Sequence, residues 1–265
     1  MSQRIVRDAL KDTLDMMKRA GFDIDQDVSV VVDEKLPFMG YTSRQPRGHT
    51  IVVSGFSVKS GMLTGLLAHE LSHVYRNITN HPSHNERIIA HLAGSFSNQH
   101  ELDADYQGEI LHQAINHVQD LYADDISMKA LVNDESGLFN SKQLEEFFVE
   151  WVKEEPVKTG ATRRDQWVNG AMMLSNCFAL SNMQRHSIED NRLRAKSKND
   201  TFLSRINPEA AEEFRYFNNF MVGLREQVTD TEFIEEMGEY LEHFFEVVTI
   251  VTTRSGYVER SSGHC

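Results

Sequence analysis

Residues 59–77 read KSGMLTGLLAHELSHVYRN. Its apolar residues recur at helical spacing and form one stripe, which consists of Met62, Leu66, Leu67, Leu71 and Val74. His69 and His73 are four residues apart, so both project from the same face of the predicted helix. The stretch therefore predicts a half-buried helix that carries two imidazoles on one side.

Residues 69–73 form an HExxH motif, written HELSH in this chain. Two histidines at this spacing can bind one tetrahedral zinc ion, and Glu70 between them can act on a water molecule as general base. Catalytic zinc takes three protein ligands and leaves a fourth position for water, so the motif requires a third ligand elsewhere. The structural alternative is that His69 and His73 are simply polar residues on a half-buried helix.

A later stretch supplies a candidate for the third ligand. The metzincin pattern needs a glycine at position 76 and a histidine at position 79, and the chain has Arg76 and Thr79, which excludes that class. Residues 101–105, however, read ELDAD. HELSH followed by ELDAD resembles the HExxH and ExxAD motifs of the gluzincin metallopeptidases that include the CAAX prenyl-protein endoprotease and its bacterial heat-shock relatives.

This resemblance covers residues 28–120 and implies a zinc site whose ligands are His69, His73 and Glu101. Asp105, four residues after Glu101 on a predicted helix, would accept a hydrogen bond from a zinc-binding histidine. The resemblance also implies a peptide or protein substrate. The membrane members of the family carry spanning helices around the catalytic core, and this chain has no such segment.

Several other side chains leave the details of the site open. The third ligand could instead come from His81, His84, His91, His100, Asp103, Glu109 or His112. A tetrahedral intermediate could be stabilised by His84, His91, Tyr106 or Tyr122. Asp124 and Asp125 are interpreted as a helix cap, with a place in the cleft as the alternative.

β-Branched residues predict two strands before the HExxH helix, at residues 28–32 and 50–53. The turn-rich sequence TSRQPRGH precedes the second strand. In the zincin scaffold an edge strand pairs with an extended peptide, which makes residues 48–55 a candidate substrate strand. A plain edge strand with no ligand fits the same sequence equally well.

The rest of the chain is predicted to be mostly helical, so the expected fold class is α+β with a zincin-like small mixed or antiparallel sheet. Helices are predicted near residues 1–20, from His84 with Ser83 as cap, and at 101–121, 166–185, 208–226 and 231–252. Pro156 and Gly160 predict a boundary between a catalytic domain at residues 1–155 and a helical region at 156–265, unless the chain forms one compact domain.

The amino-acid composition argues against some classes of binding partner. The formal net charge of −13 argues against a nucleic-acid partner, because such proteins concentrate Lys and Arg to displace counterions. No apolar segment approaches the roughly 20 residues of a spanning helix, so no membrane partner is expected. Cys177 and Cys265 do not suggest a disulfide framework, and they predict a reducing, cytoplasmic location.

These features predict a zinc-dependent metallopeptidase that hydrolyses peptide bonds with Glu70 as general base. The alternative from a different class is a zinc-binding scaffold or regulatory protein that has kept the site without activity. An intact Glu70 counts against that alternative, since a structural zinc site needs no general base. Hydrolysis of a non-peptide amide is a third possibility, because the motif does not define what carries the carbonyl group.

Overall fold

The structure is a computed structural model that describes residues 2–102, 104–132, 141–157 and 162–253. In chain order, the helices of this described part are α1 (Ser2–Arg19), α2 (Leu63–Ile78), α3 (Glu86–Gln99), α4 (Asp105–Val132), α5 (Ser141–Trp151), α6 (Arg163–Arg185), α7 (Arg194–Arg205), α8 (Pro208–Gly223) and α9 (Asp230–Val248). The strands are β1 (Val28–Asp33), β2 (Gly40–Gln45) and β3 (Gly48–Ser54). The chain is therefore α+β, as predicted. Among the described helices, none is long and apolar enough to cross a membrane.

The chain divides into two compact units. Unit 1 takes the described residues of Met1–Asn85 and Tyr122–Asn140, and unit 2 takes those of Glu86–Leu121 and Ser141–Cys265. The division differs from the single boundary predicted after residue 155, because the chain passes between the units three times. One of these passages lies inside α4, which contributes its first part to unit 2 and its second part to unit 1.

Unit 1 is built on a three-stranded mixed sheet with the order β1–β3–β2. β1 pairs with β3 in parallel, and β2 pairs with β3 antiparallel. The predicted substrate strand, residues 48–55, therefore corresponds to the central strand, whose two edges are both paired. The prediction of an edge strand there was wrong, because the strand β2 was not recognised in the sequence.

Successive side chains of each strand point to opposite faces of the sheet, and one of these faces lies on the core of unit 1. On β1, Val30 is buried whereas Val31 is 42% exposed. On β3, Ile51 and Val53 are fully buried. Helices α1 and α2 supply most of the remaining core of this unit, and Ile126 of α4 joins the same cluster.

Helix α2 matches the helix predicted for residues 59–77, and Leu67, Leu71 and Val74 of its apolar stripe are fully buried. It ends in a Schellman motif, in which the His81 amide donates to the Arg76 carbonyl across 2.9 Å. Asn80 takes the left-handed conformation that this motif requires, with φ 53°. The following 3-10 turn at Pro82–His84 is thereby held close to the end of α2.

Unit 2 contains α3, the first part of α4 and helices α5 to α9. The helices predicted at residues 166–185, 208–226 and 231–252 are present as α6, α8 and α9. Thr162 and Thr229 each begin a helix with a capping box, and Asn207 caps α8 ahead of Pro208. Helices α5 and α7 were not predicted. Ser83 does not begin a helix as expected, because α3 starts at Glu86.

Cys177 is a buried free thiol in α6, and burial raises its pKa well above the usual value. A buried neutral thiol is unreactive. Cys265 lies outside the described residues.

Candidate metal centre

Helix α2 brings the two histidines of the motif together. The Nε2 atoms of His69 and His73 lie 3.0 Å apart, and the two rings stand at 83° to each other. Two nitrogens bound to one tetrahedral zinc at about 2.05 Å each would be about 3.3 Å apart. The pair therefore fits a zinc ion with only a small adjustment of either ring.

The other nitrogen of His69 contacts a buried carboxylate of α4. Nδ1 of His69 lies 2.8 Å from Oδ1 of Asp124, whose side chain is only 8% exposed. A carboxylate accepts here, so the ring carries its proton on Nδ1 and turns the lone pair of Nε2 towards His73. This is the outer contact that a zinc-binding histidine commonly makes.

A buried arginine fixes α4 against α2 at this point. Both Nε and Nη2 of Arg76 donate to the carbonyl oxygen of Tyr122, at 3.0 and 2.9 Å. The guanidinium group also lies over the Tyr122 ring, 5.6 Å from its centroid. Because Asp124 follows two residues later in the same helix, these contacts set the position of its carboxylate beside His69.

Glu70 is buried and is oriented by the sheet. The hydroxyl of Thr42 on β2 lies 2.8 Å from Oε2 of Glu70 and 3.2 Å from the Glu70 backbone carbonyl oxygen, and it can donate to either. Gly40 lets β2 pack closely against its neighbours, since an added Cβ would meet the Val52 carbonyl oxygen of β3 at 2.8 Å and the Leu66 side chain of α2 at 3.3 Å. The carboxylate of the motif is thus held by an edge strand.

His73 is supported by a second set of polar residues in the turn after α2. Its Nδ1 lies 2.7 Å from Nε2 of His84, and His84 in turn contacts the Ser83 hydroxyl at 2.8 Å. The same hydroxyl lies 2.8 Å from Nδ1 of His81. Burial lowers the pKa of His84 well below its usual value, and the neighbouring charge of His73 lowers it further.

Helix α4 carries a second carboxylate, Asp120, about one helical turn before Asp124. Residues 120–124 read DLYAD, so Asp120 and Asp124 are four residues apart on one face of α4, and Ala123 between them is fully buried. His69, His73 and Asp120 form a group whose nitrogen and oxygen atoms could hold a metal ion. DLYAD has the spacing of the ExxAD motif with Asp in place of Glu.

Comparison with known proteins places the chain in one family. The profile of a family of unknown function, DUF5781, matches residues 7–240. The chain belongs to the DUF5781 family. No curated protein and no solved structure matches the chain significantly. In this DUF5781 chain the match runs from within α1 to within α9 and includes both histidines of the motif and Asp124.

The ELDAD stretch of the DUF5781 chain does not form the predicted helix. Glu101 is exposed, has φ 48° and follows the end of α3, where Leu102 N–H donates to the Ser97 carbonyl across 3.0 Å. This is a Schellman motif, and it places Glu101 in the left-handed position that ends a helix. Asp105, also exposed, is the first residue of α4. The two residues therefore do not share a helical face as predicted, and the role of Glu101 as a ligand stays a prediction.

The remaining candidates from the sequence are distributed over both units. In unit 1, the His81 ring lies 4.6 Å from the ring of the fully buried Tyr122, and the two ring planes are tilted by 52°. In unit 2, the residues His91, Glu109 and His112 are exposed, whereas His100 and Tyr106 are half-buried. Asp103 lies outside the described residues. Asp124 and Asp125 do not cap a helix, because both lie inside α4.

The strand β2 was the main element of the site that sequence reasoning missed. Its residues, GYTSRQ, include glycine and several polar side chains and lack a β-branched run. Its strand conformation follows from pairing with β3, where Thr42 lies opposite Ile51. Within the described part of the DUF5781 chain, β2 forms the edge of the sheet that contacts Glu70.

Proposed function

We propose that this chain is a zinc-dependent metallopeptidase whose site resembles that of the gluzincins. The observation that carries the proposal is the convergence of His69 Nε2 and His73 Nε2 at 3.0 Å, with Asp124 bound to the opposite nitrogen of His69. An HExxH helix alone does not require this arrangement. Two imidazoles that face each other with one carboxylate behind them are typical of a catalytic zinc site.

Asp120 is the third ligand in this proposal, in preference to Glu101. Helical geometry places Asp120 one turn before Asp124, and Asp124 already contacts His69. The pair Asp120–Asp124 thus has the relation that the resemblance assigned to Glu101 and Asp105. Two histidines and one carboxylate form a ligand set that leaves zinc an open position for water.

Glu70 is the general base of the proposed reaction. When bound, zinc supplies a Lewis acid that polarises a carbonyl group and makes water more acidic. Glu70 lies between His69 and His73 in α2, and in the HExxH arrangement its carboxylate would take a proton from water beside the two imidazoles and deliver it to the leaving amine. The hydrogen bond from Thr42 restricts rotation of this carboxylate and so keeps it oriented for proton transfer.

Peptide or protein is the proposed substrate class, and β2 is the proposed substrate strand. An extended peptide can add to the edge of a sheet through backbone hydrogen bonds. β2 is an edge strand and contacts Glu70 through Thr42, so a peptide paired with it would run past the general base. The single described cysteine, Cys177, is a free buried thiol, and a cytoplasmic location is part of this proposal.

The experiment is hydrolysis of a mixed peptide library by the zinc-reconstituted protein, followed by mass spectrometry. The wild type should cleave peptide bonds, and Glu70→Gln should bind zinc normally but lose at least about 100-fold of the rate. Zinc binding without cleavage of any peptide would contradict the peptidase and favour a zinc-binding scaffold protein. Equal rates in the wild type and the Glu70→Gln variant would remove Glu70 from the reaction.

A further inference from the structure

The outer contact of His73 is unusual for a metal-binding histidine. Such residues commonly donate their second N–H to a carboxylate, a backbone carbonyl or water. Here the neighbour of His73 Nδ1 is another imidazole, His84, at 2.7 Å, and His84 is only 8% exposed. An imidazole nitrogen can donate or accept, so this contact alone does not decide which ring nitrogen of His73 carries the proton.

His73, His84, Ser83 and His81 form a set of side chains linked by hydrogen bonds. The direction of these hydrogen bonds is fixed at His81, the member furthest from His73. The backbone N–H of Ser83, which can only donate, points to Nδ1 of His81 at 3.3 Å. Nδ1 of His81 must therefore be an acceptor. The Ser83 hydroxyl, 2.8 Å from the same nitrogen, then donates to it as well.

The remaining protons follow from this starting point. Because the Ser83 hydroxyl gives its proton to His81, it accepts from Nδ1 of His84. A neutral His84 with its proton on Nδ1 has a lone pair on Nε2, which accepts from Nδ1 of His73. His73 is then left with an unprotonated Nε2, directed at His69.

We propose that His84 is a positioning residue that, through Ser83 and His81, holds His73 in the tautomer able to bind a metal ion. The role of His84 rests on the proposed metal site, in which His73 is a ligand. Asp124 fixes the same tautomer in His69. Two lone pairs then face each other across 3.0 Å, an arrangement that a cation between them stabilises.

His73, His81, Ser83 and His84 lie close together in the chain, and hydrogen bonds anchor the turn that holds the last three. All members of the set lie within residues 73–84, between α2 and the 3-10 turn Pro82–His84. The turn is anchored by the His81 amide on the Arg76 carbonyl and by the Asn77 side chain, whose Nδ2 donates to the His84 carbonyl at 3.4 Å. The three-residue turn thus presents His84 to His73.

The test combines tautomer assignment with zinc affinity. Long-range ¹H–¹⁵N NMR spectra of the zinc-free wild type should show His73 and His84 both protonated on Nδ1. Competition with a chromogenic chelator should show about 10–100-fold weaker zinc binding for His84→Phe, which has no acceptor. His84→Gln, whose side-chain oxygen can accept the His73 proton, should stay within about threefold of the wild type. Ser72→Ala, on α2 but outside the set, is the control.

The outcomes distinguish a failure of the role of His84 from a failure of the proposed metal site. His73 protonated on Nε2 in the zinc-free protein would overturn it, and so would equal zinc affinity of the wild type and a folded His84→Phe. If the Phe variant does not fold, as judged by its thermal midpoint, the NMR assignment of the wild type still decides. A wild type that binds no zinc contradicts the proposed function, and the NMR assignment then tests the tautomer of His73 on its own.

Discussion

Asp124 on α4 accepts a hydrogen bond from Nδ1 of His69 on α2, with 2.8 Å between oxygen and nitrogen. The two residues are 55 positions apart, so the contact is a product of the fold and not of local sequence. It ties the motif helix to the second part of α4, where Arg76 already holds the backbone of Tyr122.

Replacing Asp124 with Asn should weaken zinc binding by about tenfold. The amide oxygen still accepts from His69, but the negative charge that makes the imidazole a stronger ligand is lost. Chelator competition measures the effect. Asp125→Asn is the matched control, because Asp125 is equally buried and lies one residue further along α4. Equal weakening in both variants would show a general effect on folding.

Replacing Asp120 with Asn should weaken zinc binding by at least about 100-fold, while Glu101→Gln should leave it within about threefold. Asp120 shares a helical face with Asp124, whereas Glu101 is exposed in the turn that ends α3. Zinc titrations of the two variants compare the candidates directly. Weaker zinc binding by Glu101→Gln than by Asp120→Asn would indicate that the third ligand lies in the ELDAD stretch.

Replacing Thr42 with Val should lower kcat by about tenfold with little change in KM or zinc content. Valine keeps the shape of threonine but removes the hydroxyl that donates to Glu70 Oε2 at 2.8 Å. Steady-state kinetics on a cleaved peptide test this. Thr50→Val serves as control, since Thr50 lies on β3 and bonds to Ser29. A matching loss of kcat in the control would argue against a specific role of Thr42.

His117 should make the zinc-free protein less stable as the pH falls. It is buried in unit 2 and stacks on Phe178 at 5.0 Å, and this burial lowers its pKa from 6.5 to about 4, partly opposed by Asp120. The unfolded chain binds the proton more tightly, so the folded state loses stability between pH 6.5 and pH 4, by up to about 3 kcal/mol.

Urea unfolding of the wild type and of His117→Phe across this pH range measures the effect. The Phe variant lacks the titrating ring, so its free energy of unfolding should fall less than that of the wild type. The two curves should therefore converge or cross as the pH decreases. Parallel curves would mean that His117 does not contribute to the pH dependence.

The sequence was sufficient to predict α2, because periodic burial of Leu67, Leu71 and Val74 is a local property of a helix. It was also sufficient to predict three long helices of unit 2, where Thr229 and Asn207 are ordinary helix caps. These elements depend on residues close to each other in the chain. Their bounds shifted by a few residues, as helix ends are set by local turns.

The third ligand and the substrate strand could not be predicted in the same way. ELDAD has a helix-forming composition, yet Glu101 occupies a left-handed C-terminal position more typical of glycine or asparagine. The sequence alone did not indicate DLYAD as a ligand motif, because the gluzincin ExxAD motif has Glu where this chain has Asp120. β2 is defined by its partner β3 and not by its own side chains. For β2 and for DLYAD a tertiary contact decides what the local pattern leaves open, whereas at Glu101 a local Schellman motif ends α3.

The zinc content of the purified protein, measured by elemental analysis after reconstitution and dialysis, tests the central claim most directly. The wild type should hold about one zinc per chain, and a variant with both His69→Ala and His73→Ala should hold almost none while keeping its helical circular dichroism. A wild type without zinc, or a double variant that keeps its zinc, would contradict a metal centre on α2.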